Sequence, residues 1–150
     1  MNLAVLDELA DRYPAADFAF VESGGDNLTL TFSPELVDHA MFVIDVAGGD
    51  KVPRKRGIGL VRADLLVINK TDLAPYVGAD LATMEREGLQ VRDGRPLLFT
   101  DCRHGDGLDA IVDHLWRARA RWATGARPDQ VDDGAHQHGH EHGPDGHQHP

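Results

Sequence analysis

Asn69, Lys70 and Asp72 stand in the order Asn-Lys-x-Asp directly after an apolar run, Leu65-Leu66-Val67-Ile68. A carboxylate in such a loop can accept two adjacent N–H donors at once, and guanine is the nucleobase that offers that pair on one edge. Adenine does not offer it, so a desolvated carboxylate facing adenine would lack donors, at a cost in free energy. The pattern therefore reads as a guanine reader. Asp72 takes the N–H pair, the Lys70 stem lies along the base face, and Asn69 braces the loop through neighbouring backbone. The bland alternative is a strand-to-loop exit with a solvated lysine; the apolar strand directly before the motif favours the binding loop. Nucleotide phosphates need a separate cradle of backbone N–H groups and a lysine, and no G-x-x-x-x-G-K-[ST] segment occurs in the 150 residues.

A second chemistry gathers near the end of the chain. His136, His138, His140, His142, His147 and His149 are six of the nine histidines, set in H-x-H repeats with Glu141 and Asp145 nearby. Neutral imidazoles suit nickel, copper and zinc, and a flexible chain can wrap several of them around one ion, so weak binding of several ions is the expected behaviour. The competing reading is a solvated polar tail with no role. Cys102-Arg103-His104 reads as a partly buried thiol beside a loop histidine. His39 and His114 are expected to pack or face solvent within helices, and Trp116 and Trp122 to be core and domain-edge aromatics.

Four short apolar runs, at 18–21, 41–46, 65–68 and 97–100, read as fully buried parallel strands. Helices are expected at 1–13, capped by Asn2 and stopped by Pro14, at 79–91, and at 107–122, where Leu108, Ile111, Val112, Leu115, Trp116 and Arg119 keep the 3.6-residue period. Alternating strands and helices imply an α/β fold, a mostly parallel sheet with helices on both faces. Its polar strand ends, Glu22, Asp45, Asn69 and Thr100, would lie where open α/β sheets bind ligands. Composition shifts near Trp122: the segment 123–150 is rich in Gly, Pro, Asp and His and poor in large apolar side chains. It is expected to be a disordered tail following an α/β domain at 1–122.

The remaining global features exclude several classes. The formal net charge is −10, from 25 acidic and 15 basic residues, which argues against non-specific nucleic-acid binding. No apolar run is long enough to span a membrane, and residues 1–13 lack the basic-then-apolar pattern of a secretory signal. One cysteine allows no internal disulfide and suits a reducing compartment, with the cytoplasm as the expected location.

Several segments together resemble the UreG family of urease accessory GTPases. They are Phe20-Val21-Glu22-Ser23-Gly24-Gly25-Asp26-Asn27, Phe32-Ser33-Pro34-Glu35-Leu36-Val37-Asp38, Val43-Ile44-Asp45-Val46-Ala47-Gly48-Gly49-Asp50-Lys51-Val52-Pro53-Arg54-Lys55, and the run from Asp64 through the Asn-Lys-x-Asp motif to Pro75. The resemblance covers about 1–122 and corresponds to the rear portion of that family. The hydrogenase nickel-insertion GTPases share the fold and a guanine motif but match these segments less well. What the resemblance implies is a P-loop GTPase that dimerises when loaded with GTP and Mg2+ and carries Ni2+. With other urease accessory proteins it metallates apo-urease, and GTP hydrolysis drives nickel release. On matching positions, Asn69, Lys70 and Asp72 form the guanine motif. Glu22, Gly24 and Gly25 form the segment that senses the γ-phosphate and its metal, and Gly48 to Lys55 forms a loop near nucleotide and partners. Thr100 and Asp101 fall where the family closes over the base, usually with Asn in the second place.

Four departures accompany the match. The phosphate loop and the family's Cys-Pro-His nickel motif are absent, Arg56-Gly57-Ile58-Gly59-Leu60 replaces Gly-Gly-Pro-Gly-Ile, and the histidine-rich tract lies at the opposite terminus. The sheet is therefore expected to be incomplete on its N-terminal side and to expose an apolar edge. Met1 is expected to reflect a late start, a split gene or a decayed copy. Two readings stay open: the rear part of a nickel-delivering GTPase that needs its front part for hydrolysis, and a non-enzymatic nickel-binding scaffold acting through the histidine tail.

Overall fold

The computed structural model describes residues 3–22, 36–49, 51, 53 and 57–125. Its elements are α1 (Leu3–Arg12), β1 (Met41–Asp45), α2 (Ile58–Arg62), β2 (Leu65–Asn69), α3 (Ala74–Val77), α4 (Leu81–Val91), β3 (Leu97–Phe99) and α5 (Leu108–Ala123), with single 3-10 turns at Val46–Gly48 and Thr71–Leu73. The three strands form a parallel sheet in the order β1-β2-β3, with Met41 opposite Leu65, Asp45 opposite Asn69, and Ile68 opposite Phe99.

The central strand dictates this arrangement. Leu65, Leu66, Val67 and Ile68 are all buried, so β2 must be covered on both faces, as a parallel strand between helices requires. On one face Ile44, Val46, Leu66 and Ile68 pack with Leu60 of α2, Ala74 of α3 and Met84 of α4. Each Val, Leu, Ile or Met side chain among them contributes about 1.5–3 kcal/mol on burial. Two glycines permit the close approach. A Cβ on Gly59 would lie 2.5 Å from the Phe42 ring, and one on Gly88 would lie 2.5 Å from Leu97. On the other face α5 lies near β3, where Ala110, His114, Arg117 and Arg121 line a shallow groove with Pro96 and Leu98. Arg92 is buried and stitches the layers together. Its guanidinium donates to the carbonyls of Leu60, of Ala63 at 2.8 Å and of Pro96 at 3.2 Å, while burial pushes its pKa down to about 10.

The expected strand at 18–21 is not a strand. No described strand lies beside it, and a lone extended segment gains no ladder. Instead Phe18 sits edge-on to Trp116 with ring centroids 5.1 Å apart, Asp17 pairs with Arg119 at 2.7 Å, and Phe20 is 73% exposed. α1 forms where expected but buries no residue, so its apolar stripe does not pack into the core. The periodic face of α5 is likewise only partly covered: Val112 is 49% exposed, and Trp116 and Trp122 are exposed rather than core. On β1, Met41 and Val43 are exposed while Ile44 is buried, so this strand is not fully buried. His39 lies outside any helix and packs against His114 of α5, with ring centroids 5.1 Å apart. α2 and the turn at Thr71–Leu73 are elements that the apolar pattern does not reveal. α4 is capped by Asp80, whose Oδ1 accepts the N–H groups of Ala82 and Thr83 at 3.0 and 3.2 Å. No helix among the described residues is long and apolar enough to cross a membrane.

Candidate nucleotide-base site

Asn69 closes β2, and the chain then turns sharply. Lys70 takes the left-handed conformation, φ 62° and ψ 42°, which a residue with a Cβ seldom adopts. That reversal starts the Thr71–Leu73 turn, closed by the Leu73 N–H donating to the Lys70 carbonyl at 2.9 Å. The turn is fastened to the end of β3, because the Thr71 N–H and hydroxyl both donate to the Thr100 carbonyl, at 3.2 Å each. Asn69 adds a second fastening: its Oδ1 accepts the Thr100 hydroxyl at 3.0 Å and the Cys102 N–H at 3.1 Å. Two loops thirty residues apart are thereby held as one unit. Cys102 itself is exposed, although its thiol lies 3.6 Å from the Thr100 hydroxyl.

The loop after β3 is organised by Asp101, which is buried. Its Oδ1 accepts the N–H groups of Arg103 at 3.1 Å and His104 at 3.3 Å, and its Oδ2 pairs with His104 Nδ1. The hydrogen bond with His104 holds the Asp101 carboxyl below its usual range and raises the His104 imidazole above its ordinary value. Asp101 also bridges backbone with Asp106, and Gly107, at φ 79°, lets the chain pass Phe99 and enter α5. One carboxylate oxygen each of Asp72 and Asp101 and a ring nitrogen of His104 lie within 4.8 Å of one another. Asp72 is exposed, and no other described residue donates a hydrogen bond to its carboxylate.

Lys70 reaches the other way. Its Nζ donates to Asp45 Oδ2 at 2.8 Å, so the side chain lies across the carboxyl ends of β2 and β1. This hydrogen bond lowers the Asp45 pKa and raises that of Lys70. Asn69, Lys70, Asp72 and Thr100 thus lie together at the carboxyl end of the sheet. Glu22 is exposed and makes no hydrogen bond or ion pair with another described residue. Gly24, Gly25, His136, His138, His140, His142, His147 and His149 lie outside the described residues. Sequence reasoning missed Asp45 as the partner of Lys70 and His104 as the partner of Asp101. The one local signal was the placement of Asp45 at a strand's carboxyl end.

A parallel sheet with a polar loop cluster beyond its strand ends is the architecture of an α/β nucleotide-binding domain. Residues 2–99 match the family described as CobW/HypB/UreG, nucleotide-binding domain, and the chain belongs to that family. Among curated proteins it is similar to urease accessory protein UreG 2 of Bradyrhizobium sp. BTAi1, at 61% identity over 117 residues, 78% of this chain and 55% of the relative. It is also similar to urease accessory protein UreG of Edwardsiella ictaluri, at 58% identity over 78% of this chain and 56% of the relative. The chain spans about half the length of the curated relatives it matches. Among solved structures it resembles the hydrogenase maturation factor HypB of Archaeoglobus fulgidus, with a TM-score of 0.52 and 28% identity over 56% of this chain and 41% of that one. It shares its fold with HypB of Helicobacter pylori, solved in complex with nickel, with a TM-score of 0.51 and 15% identity over 57% of this chain and 40% of that one.

Proposed function

We propose that this chain is the guanine-reading part of a urease accessory GTPase that delivers nickel during urease maturation. The observation that carries the reading is the Asp72 carboxylate. It is exposed, receives no hydrogen bond from another described residue, and stands on a turn fixed by Asn69, Thr71 and Thr100. A base with two adjacent N–H donors supplies what that carboxylate lacks. Lys70, pinned to Asp45, lays its stem across the strand ends, and Thr100 closes the floor of the site.

The residues fit a nucleotide at its base end only. No glycine-rich loop ending in Lys-Ser or Lys-Thr is present, so no residue of this chain is assigned to hold the phosphates. Glu22, Gly24 and Gly25 are proposed to face the γ-phosphate and its Mg2+ when GTP is held with the help of such a loop, supplied by further polypeptide. GTP hydrolysis, GTP-dependent homodimerisation, and contacts with other urease accessory proteins and apo-urease belong to that larger assembly. The α/β unit at 1–122 would then serve nucleotide binding in the cytoplasm, and the segment 123–150 would hold nickel as cargo through its six histidines.

The histidine density at 136–149 favours a second reading, a nickel-binding scaffold without nucleotide chemistry. Equilibrium binding of GDP and ADP to the intact chain, with and without Asp72→Ala, separates the two. The guanine reading expects GDP to bind more tightly than ADP and the preference to vanish in the variant. Equal binding of both nucleotides by the wild type, or an unchanged preference in the variant, would overturn it.

A further inference from the structure

We propose that His104 is a positioning residue for the Asp72 carboxylate, its imidazole lying close to both Asp72 and Asp101 and balancing two carboxylates that would otherwise repel each other. The inference rests on the guanine reading above and deepens it: the direction of the group that meets the base is set by a histidine thirty-two positions away in the chain.

The geometry leaves Asp101 no freedom to relieve the repulsion. It is buried, one oxygen is held by the N–H groups of Arg103 and His104, and the other is held by the imidazole. One of its oxygens, one of Asp72 and a ring nitrogen of His104 lie within 4.8 Å of one another, a separation at which like charges repel appreciably even near solvent. Asp72 is exposed and can answer by turning towards water, which would spoil it as an acceptor for two N–H groups.

Among the described residues, other cations nearby do not fill the gap. Lys70 is drawn to Asp45 at 2.8 Å and feels Asp72 only as a further charge. Arg103, on the same turn as His104, acts on it as a repelling cation. Among the described residues, the charged groups facing His104 are therefore Asp101 and Arg103 from its own loop and Asp72 from the Thr71–Leu73 turn.

A pH dependence follows that Asp72 alone would not produce. The hydrogen bond and charge of Asp101, followed by the charge of Asp72, raise His104 above its ordinary 6.5. The balancing charge is complete below that ordinary value and is lost as pH rises through the raised one. As that balancing charge is lost, base binding weakens on the alkaline side.

The test titrates guanosine into the intact chain between about pH 6 and 8, a span in which an imidazole of this kind changes charge while the base keeps both of its N–H donors. Backbone amide signals of the Thr71–Leu73 turn report both binding and an intact fold. The wild type is expected to bind best at the acid end. His104→Ala should weaken binding about fivefold there, the size of a partly exposed ion-pair effect, and flatten the pH profile. His104→Lys, a cation throughout the range, should keep the affinity and also flatten the profile. Adding Asp101→Asn to His104→Ala should recover most of the loss, because one of the two facing charges is then gone.

Wild-type affinity for His104→Ala at the acid end, or a double variant no better than the single one, would overturn the proposal while leaving the guanine reading intact. Absence of guanosine binding by the wild type would instead overturn the guanine reading, and this inference with it.

Discussion

Asn69→Ala probes the joint on which the whole site depends. The side chain accepts two hydrogen bonds at one oxygen, from the Thr100 hydroxyl at 3.0 Å and the Cys102 N–H at 3.1 Å. Thr100 is buried, so its hydroxyl loses its acceptor without water to replace it, whereas Cys102 is exposed and its N–H can be solvated. At about 1 kcal/mol per neutral hydrogen bond, with an added penalty for the stranded hydroxyl and little for the exposed amide, the loss comes to about 2 kcal/mol. That is a large share of the 5–15 kcal/mol by which domains are ordinarily stable, so it should be plain in a urea titration followed by far-UV circular dichroism. The midpoint should fall with the slope unchanged. Thr100→Val removes the donor but keeps the shape of the side chain and should cost about 1 kcal/mol. The double variant should cost less than the sum of the two singles, because both remove the same bond. A loss below about 0.5 kcal/mol for Asn69→Ala, the range of ordinary surface substitutions, would refute the idea that this residue joins the two loops. Strict additivity in the double variant would refute it equally.

Three further outcomes are expected. Gly107→Ala places a Cβ 2.5 Å from the Phe99 carbonyl oxygen at φ 79°, so it should destabilise the fold by about 3 kcal/mol in the same titration; a neutral result would contradict the tight passage into α5. Burial lowers His39 and His114 below their ordinary 6.5, so the stability they contribute is present above that value and is lost as pH falls. Acidification from about pH 7.5 to 5.5 should therefore lower the wild-type unfolding midpoint more than that of His39→Gln/His114→Gln, and equal slopes would contradict the burial argument. Replacing His136, His138, His140, His142, His147 and His149 by alanine in the intact chain should remove most nickel bound in equilibrium dialysis, whereas unchanged binding would move the nickel site elsewhere.

The parts of the fold that were legible are those where a local pattern has one physical solution. The run Leu65-Leu66-Val67-Ile68 is apolar on both faces, and it became the buried central strand of a parallel sheet. The 3.6-residue pattern before Trp122 became α5, although exposed Val112 and Trp116 show that periodicity fixes a helix without saying what covers it. The segment 18–21 misled because a four-residue apolar run is equally suited to a strand and to a coil whose Phe18 packs on a helix; only the neighbouring elements decide. α2 was hidden by the glycines in Arg56-Gly57-Ile58-Gly59, yet Gly59 is there because the Phe42 ring occupies the place of its Cβ. In the site, the grouping of Asn69 with Thr100 could be read from two successive strand ends. The pairings Lys70 with Asp45 and His104 with Asp101 could not. Each follows from a loop conformation, the left-handed Lys70 and the turn after Asp101, that no local spacing announces.

The most direct test of the central claim is to map guanosine onto the chain residue by residue, by amide chemical-shift changes in the intact protein with adenosine as the control. If Asp72 reads guanine, guanosine shifts should cluster at 69–73 and 100–104, and adenosine should leave those amides unmoved. Equal shifts from both nucleosides, or guanosine shifts that avoid these two loops, would contradict the account.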